Sequence, residues 1–308
     1  MAPATEPWPG WEALPAPHAV LGEEAFEAMG ERLVRAAMLE EQGAGGFHQE
    51  LFGLLRQAVD RQYGPGPAAR LQRVRPLVEA FGYGECHAAE LPGKGQRVVT
   101  CRVEGLEPEQ PFHEAGAFRW AARLAEQAEA IRAELRRYQG SPEDWVAAPE
   151  GTWGTMDAPE WKALGLVQAS SWVMGEHFPE TRAALNALPG LCPDEVMFAR
   201  MPPGTKIGPH SDNMNFILVA HLGLELEDGL CTLRVGDWTR AWREGEVLVF
   251  DHTFVHSAAN DSQRDRYVLI CRFWHPGLAA EERYALQFLL RAIAAMQRRG
   301  QELQAAAA

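Results

Sequence analysis

The sequence predicts an α+β fold: a jelly-roll core with flanking helices, preceded by a helical appendage. Two observations carry this. From Glu195 onward, Val196–Met201, Ile217–Leu226, Cys231–Val235, Glu246–Asp251 and Tyr267–Trp274 are short apolar runs separated by Gly, Asp or Pro turns. Many short strands with such punctuation indicate an antiparallel sandwich or barrel. Much of the earlier chain instead repeats its apolar residues at helical spacing. A length of 308 residues allows one large domain or a domain with an appendage. The expected division is 1–95 for the appendage and 96–308 for the jelly-roll domain with its C-terminal helix.

The N-terminal twenty residues, rich in Pro, Ala and Trp, read as a draped lead-in. Helices are expected over about Glu23–Glu41, Phe47–Tyr63 and Ala68–Phe81, interrupted by Gly43-Ala-Gly-Gly46 and Gly64-Pro-Gly-Pro67. Arg97–Val103 has the β-branched content of a strand. One long amphipathic helix is expected over Ala117–Tyr138, with Ala121, Leu124, Ala128, Ile131 and Leu135 on its core face. Residues 141–160 have mixed turn chemistry and read as a long loop, punctuated by Trp145, Trp153 and Trp161. Those indoles either line a substrate groove or plug the loop onto the core. Leu164–Met174 reads as a strand, Phe178–Leu185 as a helix start with an acidic first turn, and Ala279–Gln301 as an amphipathic C-terminal helix. His48 and His87 read as surface or capping residues.

Composition removes several function classes. A net charge of −13 argues against general nucleic-acid binding, which needs a basic footprint. No apolar run approaches the length of a membrane span. The first residues show no basic-then-apolar signal, so a cytoplasmic protein is expected. Five scattered cysteines without a CxxC pair fit reduced, structural thiols rather than a zinc cluster.

The chemistry concentrates between Pro203 and Pro276. His210 and Asp212 are two residues apart in Gly208-Pro-His210-Ser-Asp212, and side chains so spaced on an extended strand share a face. His256, 46 residues on, can be returned beside them by a sheet. Two histidines and one carboxylate form the facial triad of non-haem Fe(II) oxygenases. His252 competes with His256, since Asp251-His252-Thr-Phe-Val-His256 holds both. Arg266 opens the last strand, where a buried guanidinium can fork onto the far carboxylate of a chelating keto-diacid. A surface ion pair with Asp261 or Asp265 is the rival reading. Arg272, six residues further, is expected outside that pocket. His221 is either a donor to the co-substrate or a satisfied core histidine.

The runs Pro203-Gly-Thr-Lys-Ile-Gly-Pro-His210, His221-Leu-Gly-Leu224, Trp242-Arg-Glu-Gly-Glu-Val-Leu-Val-Phe-Asp-His-Thr-Phe-Val-His256 and Arg266-Tyr-Val-Leu-Ile-Cys-Arg-Phe-Trp-His-Pro276 resemble the aspartyl/asparaginyl β-hydroxylase family. Ile131–Leu135 and Phe178–Thr181 resemble its approach to the core, so the likeness covers about Gly105 to Arg283. The resemblance implies a double-stranded β-helix and an oxygenase that uses Fe(II), 2-oxoglutarate and dioxygen. It implies His210 and His256 as iron ligands, Arg266 on the far carboxylate of 2-oxoglutarate, and His221 at that molecule's other end. The animal enzyme that names the family has glycine where Asp212 stands. This chain keeps the carboxylate, so the expected metal and catalytic set is His210, Asp212 and His256. The family commonly has arginine where Val219 stands, which weakens the case for an Asp or Asn side chain as substrate.

The reading that follows is a hydroxylase acting on an aspartyl or asparaginyl side chain, or a related peptide or small-molecule substrate. Hydroxylation of a free amino acid, a peptide natural product or a lipid acyl chain is the second reading. A catalytically inactive jelly-roll binding protein is the third, and a metal- or sugar-binding cupin the fourth.

Overall fold

The structure is a computed structural model. It describes residues 17–22, 24, 25, 28, 29, 45–66, 71–78, 89–91, 95–98, 102–138, 140–147, 161–168, 170–212 and 214–307. The chain divides into two units. One comprises 1–12, 88–99 and 107–275; the other comprises 13–87, 100–106 and 276–308.

The first unit holds two antiparallel sheets. The larger is built from β3 (Phe112–His113), β4 (Val146–Ala147), β5 (Lys162–Gln168), β7 (Leu191–Met201), β9 (Ile217–Glu225), β12 (Val247–Phe250) and β14 (Arg266–Trp274), in the order β3-β12-β9-β14-β7-β5-β4, with β6 (Ser171–Trp172) paired to β5. The smaller has the order β11-β10-β13-β8, from β8 (Lys206–His210), β10 (Cys231–Val235), β11 (Trp238–Ala241) and β13 (His256–Asn260). A hairpin of β1 (Ala89–Leu91) and β2 (Gln96–Val98) completes the strands. Two facing antiparallel sheets of this kind are the predicted jelly roll.

Period-two alternation explains why one strand serves two cores. Leu218, Ala220, Leu222 and Leu224 of β9, and Leu269, Cys271 and Phe273 of β14, join a cluster with the helices. Their neighbours Val219 and Val268 join a second cluster with Leu233 and Val235 of the smaller sheet. A strand buried on both faces reads as a continuous apolar run, which is why β9 is legible in the sequence. Gly223 is required by close approach: a Cβ there would lie 2.2 Å from the Arg243 carbonyl oxygen. That approach seats the turn between β11 and β12 against β9.

Helices α3 (Arg119–Glu126) and α4 (Ala128–Arg137) replace the single helix expected. The break is Gln127 (φ −93°, ψ 0°), whose N–H closes back onto Leu124 and Ala125. Glu134 is buried on α4. Its carboxylate accepts from the N–H groups of Glu180 (2.8 Å) and Thr181 (2.7 Å) and from Thr181 Oγ1 (2.6 Å). It therefore caps α5 (Pro179–Asn186) from a distant helix, satisfying donors no local residue meets.

In the smaller sheet, β8, β11 and β13 are not among the strands the sequence predicts, and neither are the short β1, β3 and β4. Lys-Ile-Gly-Pro-His and His-Ser-Ala-Ala-Asn lack the apolar alternation of a half-buried strand, because their pairing is fixed by the ladder and most of their side chains are small or polar.

The second unit is helical. Its elements include α1 (Pro17–Leu21), α2 (Gly45–Tyr63) and α6 (Ala280–Ala307). The C-terminal helix, expected with the jelly roll, groups here instead, where it packs against α2. Tyr63 and Tyr284 meet edge to face at 5.8 Å. Arg73 forks onto Glu282 through Nε (2.7 Å) and Nη2 (2.5 Å). Leu71, Val74, Leu77 and Val78 are buried. The helix expected over 23–41, His87, and the loop centre with Trp153 lie outside the described residues, wholly or largely.

Candidate functional site

A cavity opens between the two sheets of the jelly roll. The larger sheet contributes Glu195, Met197, Val219, His221, Arg266, Ile270 and Arg272, and the smaller contributes His210, Leu233 and His256. Parity along each strand turns these side chains inward, opposite the helix-facing set.

His210 ends β8 and His256 begins β13, and they are direct partners across the ladder. Their ring centroids are 4.2 Å apart. Each ring is oriented in the same way: His210 Nδ1 lies 2.9 Å from the Gly208 carbonyl and His256 Nδ1 lies 2.9 Å from the Phe254 carbonyl. A carbonyl only accepts, so both Nδ1 atoms donate, which leaves Nε2 as the nitrogen through which each ring, when neutral, can ligate a metal. Burial, and then the neighbouring His210, push the His256 pKa down to about 4, which keeps that ring neutral.

Asp212 lines the same cavity. One of its oxygens accepts from His252 Nδ1 at 2.9 Å, and its N–H donates to the His252 carbonyl at 2.9 Å. Burial alone would raise this carboxyl, but the bond from His252 and its charge hold it well below the usual carboxylate range. His252 Nε2 in turn reaches the Met214 carbonyl at 2.8 Å. Both nitrogens of His252 are thus engaged. Among the described residues, no three His, Cys, Asp or Glu side chains are grouped as a metal site. The two imidazoles are donors of the type that suits a divalent transition metal, and the carboxylate of Asp212 lines the same cavity.

Arg266 is 2 % exposed. The rival partners are committed elsewhere: Asp265 to Arg200 (2.9 Å) and Asp261 to Lys206 (3.7 Å). Nε of Arg266 has no hydrogen-bond partner, and its guanidinium carbon lies 4.5 Å from the ring centroid of Trp242. Burial pushes its pKa down to about 10. His221 also has a partnerless atom, Nδ1, so it is not a satisfied core histidine. Burial first, then Arg266 and His256, hold it well below its ordinary value.

Arg272 corrects an expectation: it lines the same cavity as Arg266. Six residues along a strand is an even spacing, which keeps both arginines on one face. Arg272 reaches Asp194 at 2.6 Å and Glu195 at 2.7 Å. Burial disfavours its charge, but the two carboxylates outweigh that and hold its pKa above the ordinary value. Of the loop tryptophans, Trp161 lines the cavity and Trp145 packs edge to face on Tyr267 at 5.9 Å. Two residues of the site carry no sequence signal of their own: Glu195 belongs to no motif, and Trp242 sits in a family-like run without a role that the run itself suggests.

Residues 125–276 match the family model described as aspartyl/asparaginyl beta-hydroxylase. Over this stretch the chain belongs to that family. The human aspartyl/asparaginyl beta-hydroxylase is 35% identical over 111 residues, which is 36% of this chain and 14% of that protein. The ornithine lipid ester-linked acyl 2-hydroxylase of Rhizobium tropici is 30% identical over 181 residues, 54% of this chain and 61% of that protein. A Pseudomonas putida prolyl-4-hydroxylase structure superposes with a TM-score of 0.33 at 22% identity, covering 50% of this chain and 88% of that one. The matched stretch is thus a small part of the human relative and under two thirds of the bacterial one. Among the described residues, no helix is long and apolar enough to cross a membrane.

Proposed function

We propose that the chain is an Fe(II)- and 2-oxoglutarate-dependent hydroxylase. The observation that carries this is the pairing of two imidazoles, His210 and His256, each donating through Nδ1, in a cavity also lined by a buried, carboxylate-free Arg266. Fe(II) and 2-oxoglutarate, when bound, supply the dioxygen-activating oxidation that hydroxylates a C–H bond. His210 and His256 would hold the metal through Nε2. Asp212, oriented by His252, is the third ligand proposed. Arg266 would receive the far carboxylate of 2-oxoglutarate through its fork of N–H donors. His221 would donate to the other end of that molecule, and the apolar walls Met197, Leu233 and Ile270 would exclude water.

The substrate proposed is an aspartyl or asparaginyl side chain or a related peptide or small molecule, in keeping with the family. A second reading, hydroxylation of a lipid acyl chain or another apolar substrate, draws on Val219 in the cavity wall and on the likeness to the Rhizobium protein.

The test is succinate formation from 2-oxoglutarate with Fe(II), ascorbate and no added substrate, comparing wild type with His210→Ala. Slow turnover in the wild type, lost in the variant, supports the reading. An absence of both turnover and 2-oxoglutarate binding would contradict it. A screen of acidic peptides against acyl substrates, read by the same succinate assay, separates the two substrate classes.

A further inference from the structure

We infer that Trp242 is a positioning residue for the co-substrate: its buried indole fixes Arg266 and His221 relative to one another and leaves the guanidinium donors free. The inference rests on the oxygenase reading above. Trp242 follows β11, and its backbone N–H donates to the Cys231 carbonyl at 3.0 Å. It is fully buried, yet its Nε1 has no hydrogen-bond partner. Buried tryptophan N–H groups usually find an acceptor, and leaving one unmet is unfavourable. A leucine or methionine would fill such a core without that cost, so the ring itself needs a reason to be there.

Two contacts supply the reason. Arg266 lies over the indole at 4.5 Å, and the His221 ring is parallel to it within 12°, with centroids 5.7 Å apart. Arg266 comes from β14 and His221 from β9, and their ladder positions differ: His221 pairs with Ile270, Arg266 with Met201. Neither is held to the other by a hydrogen bond. The indole is the surface they share, and its turn is seated by the backbone approach at Gly223, two residues after His221.

The electrostatics favour an indole over a carboxylate at this place. An aromatic face attracts a cation through its quadrupole without occupying the N–H donors. A carboxylate would neutralise Arg266 and compete with the incoming ligand, as Asp194 and Glu195 do at Arg272. Trp242 thus offsets a buried charge while keeping it available.

The experiment is anaerobic equilibrium titration of the Fe(II)-loaded protein with 2-oxoglutarate and with 2-oxobutyrate, which lacks the far carboxylate. Wild type is expected to prefer 2-oxoglutarate strongly. Trp242→Leu is expected to weaken 2-oxoglutarate about tenfold and 2-oxobutyrate much less, so the preference shrinks. Trp242→Phe, which keeps an aromatic face, is expected to retain most of it. If the leucine variant does not fold, Trp242→Met carries the same expectation. A folded leucine or methionine variant with the wild-type preference overturns this inference alone. A wild type that binds no 2-oxoglutarate overturns the oxygenase reading and this inference with it.

Discussion

Arg266 and Arg272 lie on one strand, line one cavity and are both buried, yet they are treated in opposite ways. Arg272 carries two carboxylates on its terminal nitrogens. Arg266 carries none and rests on an indole. The pKa directions follow: the acids hold Arg272 up, and bare burial pulls Arg266 down. A buried cation with its partners in place belongs to the architecture. One held by an aromatic face alone keeps its donors for something that arrives later.

Substituting Arg266 should have the greatest consequence. Arg266→Met should weaken 2-oxoglutarate binding by about a hundredfold or more, since charge-assisted hydrogen bonds contribute about 1.5–3 kcal/mol each. Its melting temperature should hold or rise, because an unpaired buried charge has been removed. Calorimetric titration and thermal melts check the two halves.

Arg272→Met should do the reverse. It leaves Asp194 and Glu195 facing each other without their cation, and we expect a loss of about 2 kcal/mol of stability. That is below the full cost of breaking a buried pair, because the two acids are partly exposed. Binding of 2-oxoglutarate should stay within about threefold of wild type. Urea melts of this variant and of the triple variant Arg272→Met, Asp194→Asn, Glu195→Gln sharpen the point. The triple variant should regain about half of the lost stability, since no uncompensated acid remains.

The smallest effect is in pH dependence. Burial raises the Glu195 pKa from its ordinary 4.5. Between that value and the raised one, the folded protein binds more protons than the unfolded chain, so this residue makes stability fall as pH rises. Glu195→Gln should flatten that part of the stability–pH curve. An unchanged slope would assign the pH dependence to other groups.

The two arginines also show what a sequence can and cannot convey. Arg266 is legible because it opens an apolar strand at a set distance from His256. Arg272 has the same parity on the same strand, but its different fate depends on Asp194 and Glu195, about eighty residues away. The strands β9 and β14 are visible through their apolar runs. The strands β8 and β13, which carry His210 and His256, are not, because Gly-Pro and Ser-Ala-Ala segments carry no alternation. The break at Gln127 and the capping of α5 by Glu134 are tertiary facts with no local signal. Likewise, nothing in the sequence tells His252 from His256; the hydrogen bonds of His252 to Asp212 and Met214 are tertiary contacts.

A crystal structure with Mn(II) and 2-oxoglutarate would show directly what His210, His256 and Arg266 bind. The metal is expected on Nε2 of His210 and His256, and the far carboxylate of 2-oxoglutarate forked onto Arg266 above Trp242. A carboxylate seated on Arg272 in place of Glu195, or a metal bound away from the two histidines, would contradict that expectation.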